Sequence, residues 1–125
     1  MNAALRPPIQ IMADALKLRE CEGVRFRIVH FGIERDAFAV RYQGTPRAYV
    51  NMCRHQALPL DFGDAVFFDD ACDALVCVHH GARYDPASGV CVAGPCESAR
   101  LTPLELEERD GGLWCLGHAE PSDAR

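Results

Sequence analysis

Two short motifs place thiols and imidazoles at spacings that suit a metal. One residue separates Cys53 from His55 and two residues separate Cys77 from His80, with Gly81 directly after the second histidine. Cysteine thiolates and neutral imidazoles are ligands for zinc and for the iron of iron–sulfur centres. Either motif alone would be typical of a buried thiol near a surface histidine. Together they predict a metal centre with mixed sulfur and nitrogen ligands.

The order of these ligands bears on which metal they hold. Each motif supplies one cysteine and one histidine, so two facing loops can present both cysteines to one iron and both histidines to another. Zinc sites of this composition more often take both cysteines from one motif and both histidines from the other. The alternation therefore favours a two-iron cluster, with a structural zinc as the alternative. His79 is a rival to His80, because Cys77 and His79 would repeat the spacing of the first motif.

The residues after the second motif extend the pattern. The chain continues with His80-Gly81-Ala82-Arg83-Tyr84-Asp85, then Ala87-Ser88-Gly89, then Gly94-Pro95. This run resembles the second cluster loop, the strand turn and the proline loop of the Rieske family, and the similarity spans about residues 16–117. The resemblance implies a Rieske 2Fe-2S cluster and favours His80 over His79, because the family has glycine directly after its last ligand. The implied ligands are Cys53, His55, Cys77 and His80.

The resemblance also implies which positions tune the cluster. In high-potential members a serine follows that glycine and a tyrosine lies two residues further on, each donating a hydroxyl to a sulfur. This chain has Ala82 and Tyr84 there, so one donor is kept and one is lost. Because hydrogen bonds to the sulfurs help to set the potential, we expect a value in the lower half of the Rieske range. Cys96, on the loop that covers the cluster in the family, is a further candidate for tuning.

The segment between the motifs departs from the family. Residues 56–76 make a spacer of 21 positions, longer than in most members, and the excess is acidic. Residues 1–55 hold nine basic and five acidic side chains, whereas residues 56–125 hold four and thirteen. We expect a surface loop whose acidic face either is simply solvated or steers docking to a basic redox partner. The acidic residues considered are Asp61, Asp64, Asp69, Asp70 and Asp73.

The elements that must position the motifs are short strands separated by turns. Apolar residues alternate over 24–29, and residues 38–42 and 48–50 flank a turn that contains Gly44 and Pro46, which predicts a hairpin. Further short strands are expected at 74–76 and 90–92, with a closing hairpin around Asp110-Gly111-Gly112. We expect one or two helical turns or an irregular lead-in over residues 14–21. A short apolar patch before it, Ile9, Ile11 and Met12, is expected to add an edge segment.

These elements predict an all-β fold. We expect a small antiparallel β-sandwich or barrel, with the two ligand loops projecting as an inserted cluster-binding subdomain at one end. Residues 1–15 are interpreted as an N-terminal lead-in, 16–117 as the Rieske domain and 118–125 as a C-terminal tail.

The composition also limits the expected cellular location of the protein and the kinds of partner it can bind. No apolar run approaches the roughly 20 residues of a membrane span, and no secretory leader is evident, so we expect a cytoplasmic protein without membrane contact. After the ligands are removed, an odd number of cysteines remains, which argues against a disulfide framework. Positions that carry a bracing disulfide in quinol-oxidising members hold Leu58 and Val78-His79. Nucleic-acid binding is not expected, because no basic stripe or aromatic platform is present. The remaining cysteines are Cys21, Cys72, Cys91, Cys96 and Cys115.

The predicted function is transfer of single electrons. The chain suits a ferredoxin-like carrier that passes electrons between a reductase and an oxygenase or another redox acceptor, rather than an enzyme acting alone. The alternative is a small subunit of a larger oxidoreductase, similar to that of assimilatory nitrite reductase. A terminal oxygenase is not expected, because 125 residues cannot also hold a large catalytic domain, and His30, His79 and His118 lack the spacing of its iron site.

Overall fold

The computed structural model describes residues 8–30, 32–53, 58–95 and 99–118. This part of the chain is built from short and medium strands with a single turn of 3-10 helix. The elements in chain order are β1 (Ile9–Met12), the 3-10 helix (Ala15–Lys17), β2 (Gly23–His30), β3 (Ile33–Tyr42), β4 (Thr45–Val50), β5 (Leu75–Val76), β6 (Arg83–Tyr84), β7 (Cys91–Ala93), β8 (Pro103–Arg109) and β9 (Gly112–His118).

The strands form two antiparallel sheets. Six strands make the larger sheet in the order β1-β9-β8-β4-β3-β2, and β2 also approaches β9, so this sheet curls into a nearly closed barrel. The smaller sheet, β5-β6-β7, lies in sequence between β4 and β8. It forms the inserted subdomain, and the predicted all-β fold is confirmed.

Strand β3 separates two hydrophobic cores. Ala37 and Ala39 face the barrel interior, whereas Phe38 and Val40 face the smaller sheet, and all four are fully buried. Successive side chains of a strand point to opposite faces, so β3 divides small and large residues between the two sides. Phe38 stacks on Phe67 of the acidic spacer, with ring centroids 4.0 Å apart. The spacer is therefore packed onto the barrel.

The hairpins agree with the turn residues. Two-residue turns join β3 to β4 at Gln43-Gly44 and β8 to β9 at Asp110-Gly111. The predicted edge segment is β1, which pairs with β9. Strand β3 is longer than predicted, since it begins at Ile33 and pairs along its whole length with β2. Its first residues, Glu34-Arg35-Asp36, are charged and show no alternation that would have revealed a strand.

The expectation against disulfides is wrong. Cys21, just before β2, is bonded to Cys72 in the acidic spacer, with the two Cα atoms 5.9 Å apart. Cys91 is also disulfide-bonded. Cys115 is a buried thiol in the barrel core, as expected of a small apolar residue. An odd number of cysteines shows only that not every cysteine can be paired, so it does not exclude individual disulfides. Cys21 and Cys72 are 51 residues apart, and no local pattern in the sequence indicates that they pair.

The ends of the chain are described only in part. Residues 1–7 of the expected lead-in and 119–125 of the expected tail lie outside the described residues. The described end of the lead-in contributes β1, and Ala15 is buried in the barrel core. Within the described ranges, no helix has the length and apolarity needed to cross a bilayer.

Candidate metal centre

Two loops carry those predicted ligands that the structure describes. The first follows β4, and the Cys53 amide donates to the carbonyl of Leu58 at 2.8 Å. The second connects the paired strands β5 and β6, where the amide of Cys77 donates to the carbonyl of Ala82 at 2.8 Å. The amide of Val78 donates to the carbonyl of Leu60, also at 2.8 Å, which joins the two loops. Each cysteine therefore sits on a closed loop, and the loops are fixed to one another.

The two cysteines meet beneath these loops. Cys53 is 2 % exposed and Cys77 is fully buried. Burial raises the pKa of the Cys77 thiol, the adjacent Cys53 thiol adds to this effect, and the backbone amides of His79 and His80 oppose it by hydrogen bonding to the sulfur. A metal ion would replace the proton that burial favours, because thiolate is the ligating form. The paired buried sulfurs, with amide donors on one of them, fit a metal-thiolate site.

Tyr84 reaches the sulfur of the other motif. Its hydroxyl lies 3.3 Å from the Cys53 sulfur, and its ring is fully buried. Pairing of Tyr84 with Leu75 across β5 and β6 fixes the backbone from which this side chain projects. The hydroxyl is in position to donate to the Cys53 sulfur.

The histidines lie on the outer side of the second loop. His79 and His80 are both exposed, in contrast to the buried cysteines. The ring of Phe62, 73 % exposed, meets His79 edge-on with centroids 5.8 Å apart. His55, the histidine of the first motif, lies outside the described residues, as does Cys96. The described part of the centre thus has sulfur at its base and imidazole at its surface.

Gly81 and Gly94 shape the second loop. Gly81 has φ +75°, in the left-handed region, and its amide donates to the carbonyl of Cys77. Gly94 has φ +93°, and a Cβ on it would come within 2.9 Å of the Cα of Ala82. The glycine after His80 therefore permits the tight return of the loop. Gly94 allows the neighbouring backbone to pack against Ala82, which is itself fully buried.

A polar brace behind the first loop was missed from the sequence. The Asn51 side chain accepts from the amide of Leu60 at 2.8 Å and donates to Asp61 at 3.1 Å. Asp61 also accepts from the amide of Ala65, and Arg25 Nε lies 3.7 Å from its carboxylate. Asn51 stands two residues before Cys53, so the brace holds the start of the ligand loop. Its only sequence signal is an asparagine between a strand and a motif, which is too common to be informative.

Asp61 and Asp69 do not belong to an exposed acidic face. The Asp61 side chain has no exposed surface, and Asp69 forms an ion pair with Arg83. Burial opposes ionisation of Asp69, but the amides of Asp73 and Ala74 and the Arg83 guanidinium outweigh it and lower the pKa of this carboxyl. The exposed carboxylates of the spacer are Asp64, Asp70 and Asp73. The acidic surface is thus smaller than the sequence indicated, because two of its members act within the fold.

The sequence identifies the class of protein to which this architecture belongs. Residues 11–116 match the family model described as the Rieske [2Fe-2S] domain. The chain belongs to the Rieske [2Fe-2S] domain family, and its cofactor is a Rieske-type 2Fe-2S cluster. This membership decides in favour of the two-iron cluster over zinc. No curated protein sequence matches the chain significantly.

Solved structures share the fold at low sequence identity. The ferredoxin of carbazole 1,9a-dioxygenase from Nocardioides aromaticivorans IC177 is 22% identical with a TM-score of 0.68, and the match covers 88% of this chain and 97% of that one. A chain from the complex of reduced oxygenase and oxidized ferredoxin in carbazole 1,9a-dioxygenase is 19% identical with a TM-score of 0.71, covering 90% and 95%. The quaternary ammonium Rieske monooxygenase is 18% identical with a TM-score of 0.68, and there the match covers 88% of this chain but only 31% of the other.

Together these findings define a Rieske electron-transfer protein. When bound, a Rieske cluster accepts and releases a single electron. The chain contributes two buried sulfurs, and the hydroxyl beside Cys53 and the amide donors beside Cys77 favour negative charge on those sulfurs, in opposition to burial. The coarse function predicted from the sequence, an iron–sulfur electron carrier, is confirmed.

Proposed function

We propose that the cluster is held by the four motif residues and that the protein acts as a ferredoxin, passing single electrons between a reductase and an oxygenase or another redox acceptor. The observation that carries the proposal is that the sulfurs of Cys53 and Cys77 are buried whereas His80, on the same loop as Cys77, is exposed. The proposed ligands are Cys53, His55, Cys77 and His80.

The arrangement gives the two sides of the centre different tasks. Cys53 and Cys77 would hold the inner iron where water is excluded, while His80 would hold the outer iron at the protein surface. Electron exchange with a partner would then proceed through the imidazole side. This chain shares the fold of one chain from the complex of oxygenase and ferredoxin in carbazole 1,9a-dioxygenase over nearly its whole length, which supports an oxygenase as the acceptor.

Spectroscopy of anaerobically purified protein tests the ligand assignment. We expect a paramagnetic signal that appears only on reduction, and its loss in His80→Ala but not in the matched variant His79→Ala. Both histidines are exposed neighbours on the same loop, so the pair controls for general disturbance of the surface. Colourless wild-type protein containing zinc would refute the cluster. Loss of the signal in His79→Ala alone would show that His79, and not His80, is the ligand.

Partner docking should involve Phe62. This ring is largely exposed and lies beside His79, while the buried Asp61 fixes the backbone immediately before it. Aromatic residues, phenylalanine among them, are enriched in the buried cores of protein–protein interfaces. We expect Phe62→Ala to raise the KM for the partner about tenfold without changing the reduction potential of the cluster. Leu16→Ala, at an 80 % exposed position beside the β8–β9 turn, is the control, and equal effects of both variants would contradict this role.

We also propose a cytoplasmic location, shared with the reductase that would supply the electrons. The Cys21–Cys72 disulfide argues for an oxidising compartment, because disulfides are rare in the cytosol. Thiol trapping in intact cells distinguishes the two locations. Because a reducing cytosol would keep this pair as thiols, we expect both Cys21 and Cys72 to be alkylated before any reductant is added. A pair that is fully protected as the disulfide would overturn the proposed location.

Co-purification separates the carrier from the alternative of an enzyme subunit. A carrier must dissociate in order to meet donor and acceptor in turn, so we expect the protein to migrate apart from its partners during size-exclusion chromatography of a native extract. Stable elution with one large oxidoreductase would instead support a subunit resembling that of nitrite reductase.

A further inference from the structure

A cavity of about 170 Å³ lies where the barrel meets the turn between β6 and β7. Its walls come from β4, from the start of β8 and from the turn at residues 86–89. The side chains that line it are two arginines, Arg47 and Arg100, and several apolar groups. The turn is held to the barrel by the Tyr49 hydroxyl, which donates to the carbonyl of Pro86 at 2.7 Å. Gly89 packs directly against the Tyr49 ring. The cavity is therefore bounded by well-anchored backbone.

Two guanidinium groups are brought together at this cavity. Arg47 donates to the carbonyl of Ala87 at 3.1 Å, and Arg100 donates to the carbonyl of Ser88 at 3.0 Å. Because both side chains line the cavity, it gathers two positive charges in a chain whose formal net charge is −5. Two cations that line one cavity repel each other, and a bound anion would offset that repulsion.

Neither cation is engaged in an ion pair with a carboxylate of the described residues. Neither Arg47 nor Arg100 forms an ion pair with any residue in the described ranges, and the buried Arg47 Nε has no hydrogen-bond partner there. Asp85, the acidic residue of the same turn, adds a negative charge near Tyr49, but its oxygens accept from the amide of Ala87 and the hydroxyl of Ser88 and do not pair with either arginine. Donors of both guanidinium groups therefore remain available at the cavity.

We propose that this cavity is a binding site for a small phosphate-type oxyanion. The planar guanidinium fork matches the geometry of phosphate oxygens, and charge-assisted hydrogen bonds of this kind are the stronger ones. Two guanidinium groups at one cavity suit a dianion. Pro103 and Leu104 add an apolar wall, so the ligand is either free phosphate or the phosphoryl group of a small monoester. The site does not depend on the ligand assignment at the cluster.

Calorimetric titration of the full-length, cluster-containing protein with inorganic phosphate tests the site. We expect saturable binding at one site per chain, and at least tenfold weaker binding by Arg47→Gln and by Arg100→Gln. Arg109→Gln is the matched control, since Arg109 is an exposed arginine that pairs with Glu107 away from the cavity. Titration with phenyl phosphate identifies the form of the ligand. Tighter binding than that of phosphate indicates a monoester with an apolar body, and equal or weaker binding indicates free phosphate.

Absence of saturable phosphate binding to the wild type would overturn the proposal. So would undiminished phosphate binding by a variant with both arginines replaced, or an equal loss in Arg109→Gln. Arg100 is exposed, so Arg100→Gln keeps the test decisive even if Arg47→Gln disturbs the half-buried start of β4. The visible circular dichroism of the cluster, recorded for each variant, checks that the cluster loops remain folded.

Discussion

The Tyr84 hydroxyl offers a single hydrogen bond through which the chain can tune its cluster. It lies 3.3 Å from the Cys53 sulfur and is buried with its ring. Ala82, two residues earlier, is equally buried but supplies no hydroxyl. The two positions therefore permit opposite experiments, one that removes a donor and one that adds a donor.

Removal of the Tyr84 hydroxyl and addition of a hydroxyl at position 82 should shift the reduction potential of the cluster in opposite directions. A hydrogen bond to a charged acceptor that is worth about 1–2 kcal/mol more in the reduced state corresponds to roughly 40–90 mV for one electron. We expect Tyr84→Phe to lower the potential and Ala82→Ser to raise it by amounts of this order. Protein-film voltammetry measures both. An unchanged potential in Tyr84→Phe would exclude the hydroxyl as a tuning group, whatever the result for Ala82→Ser.

The first ligand loop depends on residues outside the motif. Asn51 and Asp61 tie the end of β4 to the start of the acidic spacer, and the Asp61 carboxylate is fully desolvated. Arg25 is one-third exposed and also pairs with Asp36, so the brace depends mainly on the hydrogen bonds that Asp61 accepts from the Asn51 side chain and the Ala65 amide. Hydrogen bonds to a charged acceptor contribute more to stability than neutral ones. The loop that carries Cys53 is thus held in place by a carboxylate eight positions further along the chain.

Replacement of Asp61 should loosen this loop. We expect Asp61→Asn to lower the free energy of unfolding by about 1–3 kcal/mol and to speed the loss of cluster absorbance in urea, because an asparagine has one acceptor oxygen and cannot accept from both Asn51 and Ala65 as the carboxylate does. Asp64→Asn, at an exposed position of the same spacer, should change stability by no more than about 0.5 kcal/mol. Equal unfolding midpoints for the two variants would show that the brace is dispensable.

The two halves of the molecule are joined by long-range contacts. Phe67 of the spacer stacks on Phe38 of the barrel, Tyr49 of the barrel holds the turn after β6, and the Cys21–Cys72 disulfide links the spacer to the chain before β2. The spacer is therefore part of the folded body, and its length has a structural role. Cys21 and Cys72 both have positive φ, at +68° and +61°, a conformation that costs free energy for residues other than glycine.

Removal of this disulfide tests how far it stabilises the whole molecule. A crosslink across a segment of this length is expected to contribute about 2–4 kcal/mol by restricting the unfolded chain. The double variant Cys21→Ser and Cys72→Ser should therefore melt at a lower temperature than the oxidised wild type. It should also lose most of the sensitivity of the wild type to dithiothreitol, with any remainder due to Cys91. Equal melting temperatures under oxidising conditions would contradict a stabilising role.

The sequence by itself determined the kind of cofactor and the kind of fold. Ligand type and spacing are local properties, so Cys53 and Cys77 with their histidines could be recognised without coordinates. Alternating apolar residues and glycine-containing turns are equally local, and they predicted the barrel hairpins. His55 lies outside the described residues, and the assignment of all four ligands remains a proposal.

Only the tertiary structure decided which distant residues meet. Asp61 looks like a surface carboxylate in the sequence, yet it is buried because Asn51 and Arg25 are brought to it by the barrel. The pairing of Cys21 with Cys72 likewise joins residues 51 positions apart. The resemblance implied a sulfur as the acceptor of the Tyr84 hydroxyl, and the structure shows that this sulfur is the one of Cys53. Such contacts form only when packing of the whole chain offsets the entropy of closing long loops. No short segment of sequence specifies them.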